Sequence, residues 1–244
     1  MEEQYSVFIN AGAVVMLSRD LAEQEQQDVL HSVLLAQLVA TRKYPEFTLG
    51  DGWYDTCHGV LKDSWLQRAV AWDSFGLDDT SKRAMVEWVE SQLDDPSDSM
   101  TVARGVCVFN DIARLPCDHP AIELLRGQML RQRTTELADG SVDAVCDVRL
   151  QIIVVRQGAV MNSLFVEFTT TALASTHPLD CLFRPENVLG NIRLRWFQAN
   201  LSPVLYASLR EAIVKKLGGK AAENILRIID DKPARLPPKT QEPS

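Results

Sequence analysis

The sequence predicts an α+β fold, with a helical N-terminal half packed on an antiparallel sheet from the C-terminal half. Three observations carry this. Up to about residue 138 the apolar residues recur mostly at helical spacing, and from about residue 143 the period becomes two. Two alternating runs, Val148–Leu150–Ile152–Val154 and Leu164–Val166–Phe168, flank a natural hairpin turn at 156–159 that contains Gly158. A third strand-like stretch, NIRLRWF, then leads into the amphipathic YASLREAIVKKL at 206–217.

The elements follow in order. Tyr5 to Leu17 is apolar without helical spacing, a first strand or an apolar arm. Ser18 or Asp20 can cap the next helix, with Glu23 three residues after Asp20. Leu30, Val33, Leu34 and Leu38 form its stripe, and Tyr44-Pro45 ends it. In WYDTCHGVLKDSW, Trp53, Cys57, Val60, Leu61 and Trp65 share one helical face, and QRAVAWDSF alternates as a strand does. SKRAMVEWVESQL reads as a helix with Met85, Trp88, Val89 and Leu93 inward, and DDPSDS at 94–99 reads as a linker. Met100 to Leu115 predicts another helix. Pro116 to Pro120 is a turn that opens a further helix, with Ile122, Leu125 and Met129 as its apolar face. The segment Arg131 to Gly140 is polar, and Asp139-Gly140 closes the helical half. After Pro203 comes the helix 206–217, which stops at Gly218-Gly219, and ENILRII at 223–229 fits a strand or a short helix.

This gives one α+β domain over residues 1–230, helical over about 18–138 and mainly β over about 143–230. The Pro-rich, polar segment 231–244 is expected to be a disordered tail.

Composition narrows the function classes. Hydrophobic residues at 46% and charged residues at 24% are ordinary for a globular chain. The formal charge of -8 and the lack of any basic run argue against nucleic acid as a partner, because phosphate binding is dominated by Lys and Arg. The chain opens with Glu2 and Glu3 where a secretory signal would be basic. Its apolar run from Phe8 to Leu17 is too short for a transmembrane segment. The expectation is a protein made and folded in the cytoplasm and, if it acts outside the cell, exported without a classical signal peptide. The five cysteines are odd in number and widely spaced, which favours reduced thiols over a disulfide framework.

The common phosphate-binding, metalloprotease and serine-hydrolase motifs are absent from the sequence, and its four histidines are scattered, so no metal site is expected. Cys57 reads as core and His58 as surface, since neighbours on a helix point to different sides. His177, Asp180 and Cys181 fall within one short loop. Cys181 there is a nucleophile with His177 as base and Asp180 as orienter, the arrangement of an acyl hydrolase or acyltransferase, or it is a small buried hydrophobe. A sheet face of Leu164, Val166 and Phe168 set against Leu34 and Leu38 would enclose either a filled core or a lipid-sized cavity.

The stretch QDVLHSVLLAQLVATRKYPEFTLGDGWYDTCHGVL, residues 27–61, resembles a pattern of the Evf-type bacterial virulence factors. The matching positions are Asp28, Val29, Leu30, Ser32, Leu34 to Leu38, Ala40, Lys43, Tyr44, Trp53, Tyr54, Val60 and Leu61. GNIRLRWF and YASLREAIVKKLGGK look similar in outline. The resemblance implies a mixed α and β fold, no assigned enzymatic activity, and a palmitate-like fatty acid on a cysteine buried in an apolar cavity. Cys181, by its distance from the C-terminus, is the expected attachment point.

The leading expectation is a non-enzymatic bacterial virulence or host-interaction factor that carries an acyl chain or binds a lipid. The alternatives are the Cys/His-dependent acyl enzyme and a protein-binding effector or accessory module, with a host or export-machinery protein as partner.

Overall fold

The computed structural model describes residues 5–47, 49–75, 83–84, 111–136, 142–171, 182–183 and 187–229. The fold is α+β. An eight-stranded mixed sheet runs β10-β1-β2-β6-β7-β9-β3, and β5 also pairs with β6. The strands are β1 (Tyr5–Asn10), β2 (Ala13–Ser18), β3 (Trp65–Phe75), β5 (Leu130–Glu136), β6 (Val142–Arg156), β7 (Val160–Thr170), β9 (Val188–Leu201) and β10 (Ile225–Ile229). A separate two-stranded sheet pairs β4 (Arg83–Ala84) with β8 (Leu182–Phe183).

The N-terminal apolar stretch is a hairpin, β1 and β2 folded about Ala11, which takes a positive φ of 51°. Asn10, the polar interruption in that run, is fully buried and donates from Nδ2 to the carbonyl of Leu30 at 2.9 Å. β2 lies parallel to β6, with Val14 opposite Ile152, the one parallel pairing in the large sheet. The sheet therefore draws strands from both halves of the chain, and the part read as helical contributes β3 and β5 to it. The polar segment after Met129 is β5, not the end of a helix: Arg133 faces Val145 across the ladder, and its guanidinium clasps the buried Asp147 at 2.7 and 3.1 Å.

The helices are α1 (Glu23–Lys43), α2 (Asp51–Leu61), α3 (Pro120–Met129), α4 (Pro203–Leu217) and α5 (Lys220–Asn224), and residues 111–113 are also helical. α1 starts later than expected. Ser18 turns its hydroxyl to the Asp20 N–H instead, and the Glu25 carboxylate accepts from Ala22 N–H at 3.1 Å, so Glu25 takes the role expected of Glu23. α2 ends at Leu61, so Trp65 is not on its face but opens β3, where its indole donates to Ser32 Oγ at 3.1 Å. α3 has Pro120 in its first turn, the His119 ring accepting from Ala121 N–H, and Ile122, Leu125 and Met129 buried as expected. α4 is capped by Ser202 and stopped by Gly218 at a φ of 50°. The ambiguous 223–229 segment divides, its last five residues forming β10 against β1. Of the helix expected at 81–93, Arg83–Ala84 is strand, while Met85, Trp88, Val89 and Leu93 lie outside the described residues, as do the 94–99 linker and the tail 231–244.

Both faces of the sheet are covered. On one face Val15, Leu17, Ile153, Met161, Phe165 and Phe197 pack beneath α1, α2 and α4. On the other, Val14, Met16, Leu150, Ile152, Leu164 and Val166 pack with α3 and Ile112. Period-two alternation puts successive residues of β6 and β7 into different cores. A strand that reads as apolar on one side and polar on the other is here buried on both.

Candidate functional site

α1 and α4 lie side by side on one face of the sheet, and near their C-terminal ends they leave an open groove of about 780 Å³. Leu35, Leu38 and Val39 from α1 and Leu217 from α4 are its apolar wall. Val33 and Leu34 of α1 turn inward on the core, and Leu35, Leu38 and Val39 on the flank of that stripe are left half-buried beside the neighbouring helix. A clamp holds the two helices: Arg210 of α4 donates from Nε and Nη2 to the buried Asp28 carboxylate of α1 at 2.9 and 2.7 Å, a bidentate pairing. Gln24 donates to the same carboxylate at 2.9 Å.

Four cations stand around the groove: Arg42 and Lys43 end α1, Lys216 is in the last turn of α4, and Lys220 starts α5. No carboxylate among the described residues lines it. Among the described residues none of the four is in an ion pair, and Lys43 sits over the Tyr44 ring at 5.4 Å. In a chain with a formal charge of -8, this is a local reversal of sign. A hydrocarbon wall with a cationic rim is complementary to an amphiphile that has one aliphatic tail and an anionic head.

Beneath α2 lies the second chemistry-bearing region, a row of charges across three strands. Arg149 on β6 is opposite Glu167 on β7, which is opposite Arg193 on β9. Glu167 is fully buried, meets Arg193 Nη2 at 3.2 Å, and accepts from Gly50 N–H at 3.5 Å. Burial raises its pKa, against the pull of Arg193 and Arg195. Arg195 reaches up to Asp51 and Asp55 of α2 and lies over the Tyr54 ring. Arg149 is sandwiched between the rings of Phe47 and Trp53, 4.3 and 4.1 Å from their centroids. Burial pushes its pKa down to about 10.

The residues singled out from the sequence separate. Leu34 is core and Leu38 lines the groove. Leu164, Val166 and Phe168 are on the opposite side of the sheet, so these five side chains do not line one cavity. The aromatic of β7 that faces α1 and α2 is Phe165, stacked on Trp53 at 5.7 Å and tilted against Tyr54 at 4.9 Å. His177, Asp180 and Cys181 lie outside the described residues. Cys57 is in the core, where burial pushes its thiol pKa up to about 12, the opposite of an activated nucleophile. His58 is half-buried, its ring 4.7 Å from that of Phe197. Among the described residues no three His, Cys, Asp or Glu side chains converge as a metal site, and no helix is long and apolar enough to cross a membrane.

The sequence reading missed the row Arg149, Glu167, Arg193 and Arg195. Its signal was present as charges at alternating positions on three neighbouring strands.

Comparison with known proteins gives little to set beside this geometry. No protein-family model matches the chain. No curated protein matches it either. Among solved structures, a chain named delta-endotoxin is similar with a TM-score of 0.42 and 8% identity, over 80% of this chain and 85% of that one.

Burial holds His31 and His58 below the ordinary imidazole value of 6.5, with Lys62 adding to the effect at His58 and Asp28 opposing it at His31. The unfolded chain then binds more protons than the native state as the pH falls through 6.5, so stability declines on acidification. The urea midpoint is expected to be lower at pH 5.5 than at pH 7.5, and the drop is expected to be smaller in His58→Asn. An undiminished drop in that variant would remove His58 from the account.

Proposed function

We propose that this protein is a non-enzymatic lipid-binding factor whose α1–α4 groove takes the aliphatic tail of a single-chain amphiphile with an anionic head. The observation that carries this reading is the pairing of an aliphatic wall (Leu35, Leu38, Val39, Leu217) with a cationic rim that has no carboxylate among the described residues. The wall asks for no hydrogen bonds, which suits hydrocarbon. Each buried methylene contributes about 0.8 kcal/mol, so a palmitate-like tail is favourable even after the cost of immobilising it. The resemblance of residues 27–61 to the Evf-type virulence factors extends the proposal to a role in host interaction.

The test is mass spectrometry of the purified protein under native and then denaturing conditions. The reading expects one fatty-acid-sized ligand per chain. If the added mass survives denaturation and is released by hydroxylamine, the tail is a thioester on a cysteine, Cys181 by the sequence reading; if it leaves on denaturation, it is held by the groove alone. Protein that carries no lipid and fails to bind added palmitate would overturn the proposal.

The rim makes a separate, charge-dependent contribution. The double variant Lys216→Glu, Lys220→Glu is expected to weaken palmitate binding about tenfold at low salt and by less at high salt, because exposed charges are screened. The same affinity at every ionic strength would show that the head lies elsewhere.

A further inference from the structure

Between the turn of β1 and β2, the C-terminal part of α1 and the middle of β6 lies a small cavity of about 60 Å³. It shares Leu38 and Thr41 with the groove wall but is far too small for an acyl chain, while it has room for a water molecule or an ion of similar size. Arg149 and Gln151 both line it, and they are only 8% and 3% exposed. Each has an unpartnered polar atom, Nη1 of Arg149 and Oε1 of Gln151.

The charge count around it is uneven. Of the three-strand row, the one carboxylate, Glu167, lies opposite Arg149 and favours its charge, but it is 3.2 Å from Arg193 and also acts on Arg195, and among the described residues Arg149 otherwise meets the faces of Phe47 and Trp53. Arg131 also lies near enough to Arg149 to disfavour its charge further. A buried guanidinium that shares its carboxylate with two other arginines is under-compensated, and a neutral water does not remove that cost. The other polar groups can turn donors toward the space. Thr41 Oγ1 accepts from Trp53 Nε1 at 3.1 Å, which leaves its own O–H to donate. Rotating the Gln151 amide by half a turn keeps its bond to Ser163 Oγ, with the serine hydroxyl now donating, and offers an N–H to the cavity in place of the orphaned oxygen.

We propose that this cavity is a halide site, in which Arg149, Gln151 and Thr41 hold a chloride ion inside the fold, adding negative charge beside an Arg149 that shares Glu167 with two other arginines. The site is independent of the lipid reading, since it involves neither the rim cations nor an acyl chain.

Crystals of the full chain grown in chloride and soaked in bromide test it. An anomalous peak within hydrogen-bonding distance of the Arg149 guanidinium is expected. A cavity that holds water density with no bromide signal overturns the proposal. In solution, replacing gluconate by chloride at constant ionic strength is expected to raise Tm by roughly 2–4 °C. Coincident melting curves in the two salts count against the site, and this measurement needs no variant that risks unfolding. Where Arg149→Met folds, its melting temperature is expected to be the same in both salts; a retained chloride dependence would place the ion elsewhere.

Discussion

Replacing Phe165 with alanine is expected to cost about 3–5 kcal/mol, a large part of the stability of an ordinary domain. The side chain is 1% exposed and is a main aromatic contact between the sheet and α2, with Trp53 stacked on it and Tyr54 tilted against it. Truncation removes the apolar burial, leaves a void beneath α2, and unseats the indole that also shelters Arg149. Leu164, the next residue back, faces the other core and is 5% exposed, so Leu164→Ala is also expected to be costly, at about 2–5 kcal/mol. The pair reads the architecture directly. A sheet with one solvent face would lose stability at only one of two adjacent positions, and denaturant midpoints that show one of them neutral would contradict the two-faced burial described here.

The second large effect concerns function. Val39→Trp is expected to reduce palmitate binding by well over tenfold while shifting the melting temperature little. Val39 is half-buried on the groove wall and lies outside the close-packed core, so an indole there fills the space meant for the tail without overpacking the interior. Binding measured by fluorescence displacement beside a melting curve separates the two effects. A variant that folds normally and binds palmitate as the parent does would exclude the groove.

Much of the fold was legible in the sequence because its signals were local. The change of period near residue 143, the β6–β7 hairpin about Gly158, the α3 start at Pro120 and the α4 stop at Gly218 each depend on a few neighbouring residues. What stayed hidden was set by distant partners. The parallel pairing of β2 with β6 joins residues well over a hundred positions apart, and no turn chemistry announces it. β5 looked like the end of a helix because its polar residues find their partners on β6, as Arg133 does with Asp147.

The candidate site was legible only in part, for the same reason. Leu38 was set against β7 residues in the sequence reading, whereas the structure puts it on a groove wall with Leu217 of α4, a helix joined to α1 by the Asp28–Arg210 clamp across 182 residues. Leu164, Val166 and Phe168 were assigned to the helix-facing side because they are the apolar set of their strand. That inference fails when both faces are buried and the helix-facing set contains Glu167 and Ser163 beside Phe165. The cationic rim was invisible to a search for basic runs because its members come from the ends of separate helices.

The central claim, that an acyl tail lies between α1 and α4, is tested most directly by NMR with a spin-labelled stearate added at one equivalent. The expected result is line broadening concentrated on the amides of residues 35–43 and 214–220, with the amides of β3, at the opposite edge of the sheet, little affected and the effect removed by unlabelled palmitate. Broadening that is absent, uniform over the surface, or centred on another part of the molecule would contradict the claim.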